Sequence, residues 1–190
     1  MGVEDLFDFR ELKIRQPGRM IPGQARYDIF DTSRNLLAVA SEAEGRTRFQ
    51  TITGLLPDTR QLGVRTAAGQ PVLMLIKRDS YWAADVTDAA GKPVDRIRLG
   101  DTRRFYTLIG ADGQVVANAA GDLAVKNFSV TSAEGAPLAQ VRKTWAGLRK
   151  ELLTSADHYT VKFSGMPPPS ARILTVMMAI VLDLARHGPD

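Results

Sequence analysis

The side chains able to do chemistry are few in this chain of 190 residues, and they are scattered. There are two histidines, His158 and His187, and no cysteine. Without thiolates the common zinc sets cannot assemble, and disulfides, cysteine nucleophiles and palmitoyl anchors are excluded. No glycine-flanked serine elbow or Ser-His-Asp arrangement is legible, so neither an enzyme nor a cofactor site is expected. What remains is isolated charge. Asp183 stands late in an apolar run, where a carboxylate is expected to reach the solvent rim of a helix end or to pair with an arginine. Arg46 and Arg48 surround one expected hairpin turn, and Arg103 and Arg104 another. Exposed guanidinium groups bind phosphate oxygens through paired hydrogen bonds, which makes these four the candidate contacts to phospholipid or another anion. Trp82 and Trp145 are expected in the core or barrel wall.

The charge balance sets the partners. Twenty-five basic and 21 acidic residues give a net charge of +4, spread along the chain without a run of one sign. Such a surface tolerates an anionic phospholipid membrane. Nucleic acid is not favoured, because its binders concentrate their cations on one face. The N-terminal stretch Met1 to Leu6 lacks the layout of a secretory signal, and Leu6 stands where a myristoylation signal wants Ser or Thr. A cytoplasmic location follows as the expectation, and the zero cysteine count fits it. With 44% apolar and 24% charged residues, the chain reads as one globular domain over residues 1–190.

A repeated turn phrase positions everything else. It reads Thr66-Ala67-Ala68-Gly69-Gln70-Pro71 and Asp88-Ala89-Ala90-Gly91-Lys92-Pro93, then Gly110-Ala111-Asp112-Gly113-Gln114 and Ser132-Ala133-Glu134-Gly135-Ala136-Pro137, so that its central glycines recur every 22 residues. A repeat of that length must contain two strands and two turns, with glycine supplying the positive φ of the tight one. An earlier phrase, Asp31-Thr32-Ser33-Arg34-Asn35, is the same tip with asparagine in the glycine role. Strand-like runs flank each turn, from Leu12–Gln16 to His158–Phe163, and about twelve can be counted. A sheet that large with short antiparallel connections removes its exposed edges by closing on itself.

The last apolar run differs. Met166-Pro167-Pro168-Pro169 ends the strands, Ser170 is the expected N-cap, and Ile173 to Leu184 is apolar on nearly every helical face. A helix of about residues 170–187 with so short an apolar stretch cannot cross a bilayer, which takes roughly 20 apolar residues. It is therefore expected inside the barrel. The fold class is mainly β: a closed antiparallel barrel of about twelve strands enclosing one C-terminal hydrophobic helix.

The segment Trp145-Ala146-Gly147-Leu148-Arg149-Lys150-Glu151, followed by Thr154-Ser155-Ala156-Asp157-His158-Tyr159 and the apolar helix, resembles the C-terminal end of phospholipid scramblases. The upstream strands are similar to the wider tubby-like group, which includes the LURP-one-related proteins. The resemblance implies the same helix-filled barrel and an interaction with phospholipid, placed peripherally on the inner face of the plasma membrane. Family members carry an acidic segment proposed to bind calcium. Here Ser155 replaces its first acid, only Asp157 is retained, and the prolines before the helix offer no carboxylate. Calcium wants about six to eight oxygen ligands, so no metal site and no calcium control are expected. The alternative is a soluble, non-catalytic module that binds a protein or a small apolar ligand.

Overall fold

The computed structural model describes residues 3–17, 25–42, 59–78, 83–100, 102–145 and 157–184. Twelve strands close into an antiparallel barrel in which each pairs with its neighbours in sequence and the first pairs with the last. They are β1 (Glu11–Arg15), β2 (Arg26–Phe30), β3 (Leu36–Glu42), β4 (Thr59–Thr66), β5 (Pro71–Arg78) and β6 (Ala83–Asp88), then β7 (Pro93–Leu99), β8 (Phe105–Ile109), β9 (Val115–Gly121), β10 (Asn127–Ser132), β11 (Pro137–Trp145) and β12 (Asp157–Phe163). Strand after strand alternates buried and exposed residues. β9 points Ala117, Ala119 and Gly121 inward and β1 points Leu12 and Ile14 inward, while Glu11, Lys13 and Arg15 face out.

The 22-residue period is a hairpin period. Gly69, Gly91, Gly113 and Gly135 have φ between 81° and 89°. Each donates its N–H to the carbonyl three residues back, for instance Gly69 to Thr66 at 2.8 Å and Gly135 to Ser132 at 3.0 Å. The register slips beside these four tips, at Val64/Arg65, Val86/Thr87, Leu108/Ile109 and Val130/Thr131, as a type I turn followed by a glycine bulge requires. The first tip departs from expectation. Its left-handed residue is Arg34, at φ 68°, and not Asn35. Asn35 instead donates through its backbone N–H and its side-chain amide to the Asp31 carboxylate, both at 2.8 Å, and that brace holds a non-glycine residue in the left-handed region.

The C-terminal helix, α2 (Pro169–Leu184), fills the barrel. Every residue from Ala171 to Leu184 is buried. It starts one residue before the expected cap Ser170, with Pro169 at the first position, where a missing N–H costs nothing. A short helix, α1 (Val3–Leu6), was not legible in the acidic N-terminal stretch. Leu6 and Phe7 are buried there, and Asp8 forms an ion pair with Arg172 in the first turn of α2. That end of the barrel, which carries the glycine tips, is the hairpin end. The opposite end, where α2 finishes, is the mouth.

One inward acid lies toward the hairpin end. On β7 it is Asp95, Ile97 and Leu99 that are buried, while Val94 is half-buried. Burial pushes the Asp95 carboxyl up to about 6, with the Ala111 N–H opposing the shift and the Asp112 charge adding to it. A carboxyl whose folded pKa is raised stabilises the fold below its unfolded value near 4, and that stability is lost as pH rises through 6. Asp95→Asn is expected to abolish a pH-dependent component on the order of 1 kcal/mol, allowing for solvent at the barrel end. Urea denaturation at pH 4 and pH 7 checks this: an unchanged pH difference in the variant contradicts it.

Candidate functional site

The mouth is polar on one side and apolar on the other. From β11 round to β5 the inward positions of the last layer are Lys143, Tyr159, Gln16, Tyr27, Glu42, Arg60 and Lys77, each contributed by a different strand end or by the residue following one. Across the barrel the same layer presents Ala84, Leu99, Tyr106, Ala119 and Phe128, all buried. The Tyr106 and Phe128 rings pack edge to face with centroids 5.8 Å apart. Gly121 is required beside them, because a Cβ there would lie 2.6 Å from the Phe128 ring.

Asp183 is the centre of the polar side. It is 1% exposed, so it does not reach the solvent rim, which was one of the two expected outcomes. Tyr27 donates its hydroxyl to Asp183 Oδ2 at 2.6 Å, and Tyr159 donates to Oδ1 at 3.3 Å. Lys143 Nζ lies 3.9 Å from Oδ1 and 5.4 Å from the centre of the Tyr159 ring. Burial, and then the Asp183 carboxylate beside it, hold the Tyr27 phenol well above its ordinary pKa. A buried carboxylate is tolerable only when hydrogen-bonded and charge-matched in this way. The network ties the last turn of α2 to β2, β11 and β12 at once.

Next to it, Glu42 Oε2 accepts from the backbone N–H of Ala25 at 3.0 Å, and Glu42 Oε1 stands 3.7 Å from Arg60 Nε. Sequence reasoning missed this layer. Its members sit at strand ends, where inward and outward assignments are weakest, and a lysine such as Lys143 is conventionally read as solvent-facing.

The rim of the apolar side carries two of the four predicted arginines. Arg103 is exposed in the β7–β8 turn. Arg104 Nε donates to the Gly121 carbonyl at 3.1 Å, and its guanidinium lies 5.5 Å from the centre of the Phe105 ring. Phe105 is 49% exposed. In the adjoining β9–β10 turn Leu123 is 86% exposed, and Val125, a β-branched residue, is held at φ 54°. Asp122 organises that turn by accepting from the N–H of Lys126 at 2.8 Å and the side-chain amide of Asn127 at 2.6 Å. These bonds keep its carboxyl below the usual range. The two turns are neighbours, since Gly121 N–H also donates to the Arg104 carbonyl at 2.7 Å. Two large apolar side chains and the cations Arg103, Arg104 and Lys126 therefore share one stretch of rim.

The other sequence candidates are dispersed. Arg46, Arg48, Trp82, Ser155 and His187 lie outside the described residues, as do the side chains of Trp145 and Asp157. His158 is half-buried on β12. Among the described residues, no three His, Asp or Glu side chains gather to hold a metal ion. At the hairpin end a groove of about 440 Å³ is lined by Phe9, Phe163, Gly165 and Thr32 with Arg10 and Lys162. No helix among the described residues is long and apolar enough to cross a membrane.

A closed twelve-stranded antiparallel barrel wound on an apolar helix defines a protein of the scramblase and tubby-like fold. The Scramblase family model matches residues 23–187, and the chain belongs to that family. A solved structure of a protein from Arabidopsis thaliana is similar over 98% of this chain and 99% of that one, with a TM-score of 0.56 and 14% identity. That likeness concerns the fold. No curated protein matches.

Proposed function

We propose that this protein is a peripheral phospholipid-binding member of its family, docking on anionic membrane surfaces without calcium control and without catalysis. The observation that carries the reading is the rim patch, where Leu123 and Phe105 project at 86% and 49% exposure among Arg103, Arg104 and Lys126. Apolar side chains that enter the headgroup boundary, flanked by cations that meet lipid phosphates, are what interfacial binding uses. Membership of the Scramblase family supports the substrate class. Transport is harder to reconcile with the fold. The long apolar segment already fills the barrel, and withdrawing it would expose apolar area at about 25 cal/mol per Å². The inner face of the plasma membrane, which is anionic, is the location this chemistry suits.

Vesicle flotation tests the proposal. The protein is expected to float with phosphatidylserine vesicles at low salt, with or without calcium, and to be released as salt screens the charges. Leu123→Asp and Arg103→Glu, both exposed and outside the core, are each expected to reduce the bound fraction at least fivefold while leaving the melting temperature unchanged. Binding by both variants at the wild-type level would defeat the rim assignment, and no binding by the wild type would defeat the function.

A further inference from the structure

The groove at the hairpin end takes no part in membrane docking, and its walls are built. Phe9, Arg10 and Glu11 enter it from the start of β1, Lys162, Phe163 and Gly165 from the end of β12, and Thr32 from the β2–β3 tip. Each wall is held from behind. The Phe163 N–H donates to the Arg10 carbonyl at 2.9 Å. Asp8, next to Phe9, is ion-paired with Arg172 of α2. The tip that carries Thr32 is braced by the bonds from Asn35 to Asp31. Gly165 is at φ 73°, and a Cβ placed on it would meet nothing within 4 Å, so that side of the groove is open room. At about 440 Å³, with two aromatic side chains and few charged ones, the groove has the size and make-up of a small-molecule site (~300–1,000 Å³). Its charges are legible one by one. Glu11 stands directly opposite Lys162 in the β1–β12 register, so those two offset each other. The acids nearest in sequence, Asp8 and Asp31, are committed to Arg172 and Asn35. Arg10 is exposed, and its guanidinium makes no ion pair among the described residues.

We infer that this groove binds a small amphipathic carboxylate, its apolar body against Phe9 and Phe163 and its carboxylate on Arg10. A planar guanidinium takes a carboxylate through two parallel hydrogen bonds. The aromatic walls contribute by covering apolar surface. A neutral ligand of the same shape forgoes Arg10, a cation is repelled by it, and a dianion brings its second charge toward Glu11. The site faces away from the membrane. It lies at the start of α2 and the rim patch beyond its end, and 16 helical residues separate them by about 24 Å. The ligand therefore arrives from water while the rim rests on lipid, and the inference does not depend on membrane docking.

The test is calorimetric titration of the full chain with sodium octanoate, with octanol and octylammonium as the neutral and cationic probes. Octanoate is expected to bind saturably at one site, and both other probes roughly tenfold more weakly, as loss of a charge-assisted contact implies. Arg10→Gln is expected to bring octanoate down to the level of octanol and leave octanol unchanged. Thr32→Trp, which fills the groove from an exposed turn position, is expected to abolish binding of both. If Thr32→Trp disturbs the fold, the backbone amide resonances decide: octanoate is expected to shift those of Phe9, Phe163 and Gly165. No saturable binding, equal affinity for octanol, unchanged affinity in Arg10→Gln, or shifts confined to the mouth would each overturn the site. A dimer that Thr32→Trp dissociates would also overturn it, by making the groove the seat of a second copy of the chain. Leu123→Asp is expected to lose vesicle binding and keep octanoate binding, so the two proposals fail separately.

Discussion

Replacing Ile180 by aspartate is expected to leave no folded protein. Ile180 is 0% exposed at the middle of the buried run of α2, with Met177 and Val181 equally enclosed. The substitution removes an apolar side chain whose burial is worth roughly 1.5–3 kcal/mol. It also places a carboxylate where no polar group waits for it, which costs several kcal/mol more. Domains of this size are stable by about 5–15 kcal/mol, so the sum consumes most or all of the margin. Circular dichroism and gel filtration of the purified variant decide the matter. A monomeric Ile180→Asp protein with native β signal would show that the helix is not the core.

The second large effect concerns the polar lock at the other end of the same helix. Lys143→Met is expected to destabilise by about 3 kcal/mol, because it leaves the Asp183 carboxylate buried and short of its countercharge. Asp183→Leu is expected to cost a similar amount, since it strands the Tyr27 and Tyr159 hydroxyls that now donate to it at 2.6 and 3.3 Å. Their combination is expected to cost less than the sum by at least about 1 kcal/mol, the mark of groups that share a network. Urea denaturation of the two single variants and the double variant measures the coupling. Strict additivity would mean that the 3.9 Å approach of Lys143 to Asp183 contributes nothing.

These two sites also show where reading the chain alone succeeds and where it stops. The glycine spacing and the β-branched runs gave all twelve strands, because turn chemistry and period-two burial are local properties. The helix was legible for the same reason: its composition needs no neighbour to interpret. Asp183 was visible as an oddity, but its partners are 156, 40 and 24 residues away in the chain, and no local pattern announces them. Lys77, Arg60 and Lys143 were harder still. At a strand end a one-residue change of register reverses the face of a side chain, and an inward lysine then looks like an outward one. The same ambiguity concealed Asp95, an acid on the inner face near a strand end. At the first hairpin the tip was found, but Arg34 and not Asn35 took the strained position, because the asparagine was already committed to Asp31.

The closure of the barrel has a consequence for how the protein is made. Each of the strands β2 to β11 pairs with strands next to it in sequence, so ten of the twelve can form hairpin by hairpin as they leave the ribosome. Two events cannot. β1 must wait for β12, and the whole inner surface must wait for α2, which follows it. Until residues beyond Asp157 have been synthesised, the nascent chain is a sheet with two open edges and an unfilled hydrophobic lining, the state most exposed to aggregation. Loop closure over the full barrel is also the slow, non-local step. The closed barrel is thus completed in one late event, once β12 and α2 are both available, and a chain stopped at the Pro167–Pro169 run is a substrate for chaperones and not a smaller version of the domain.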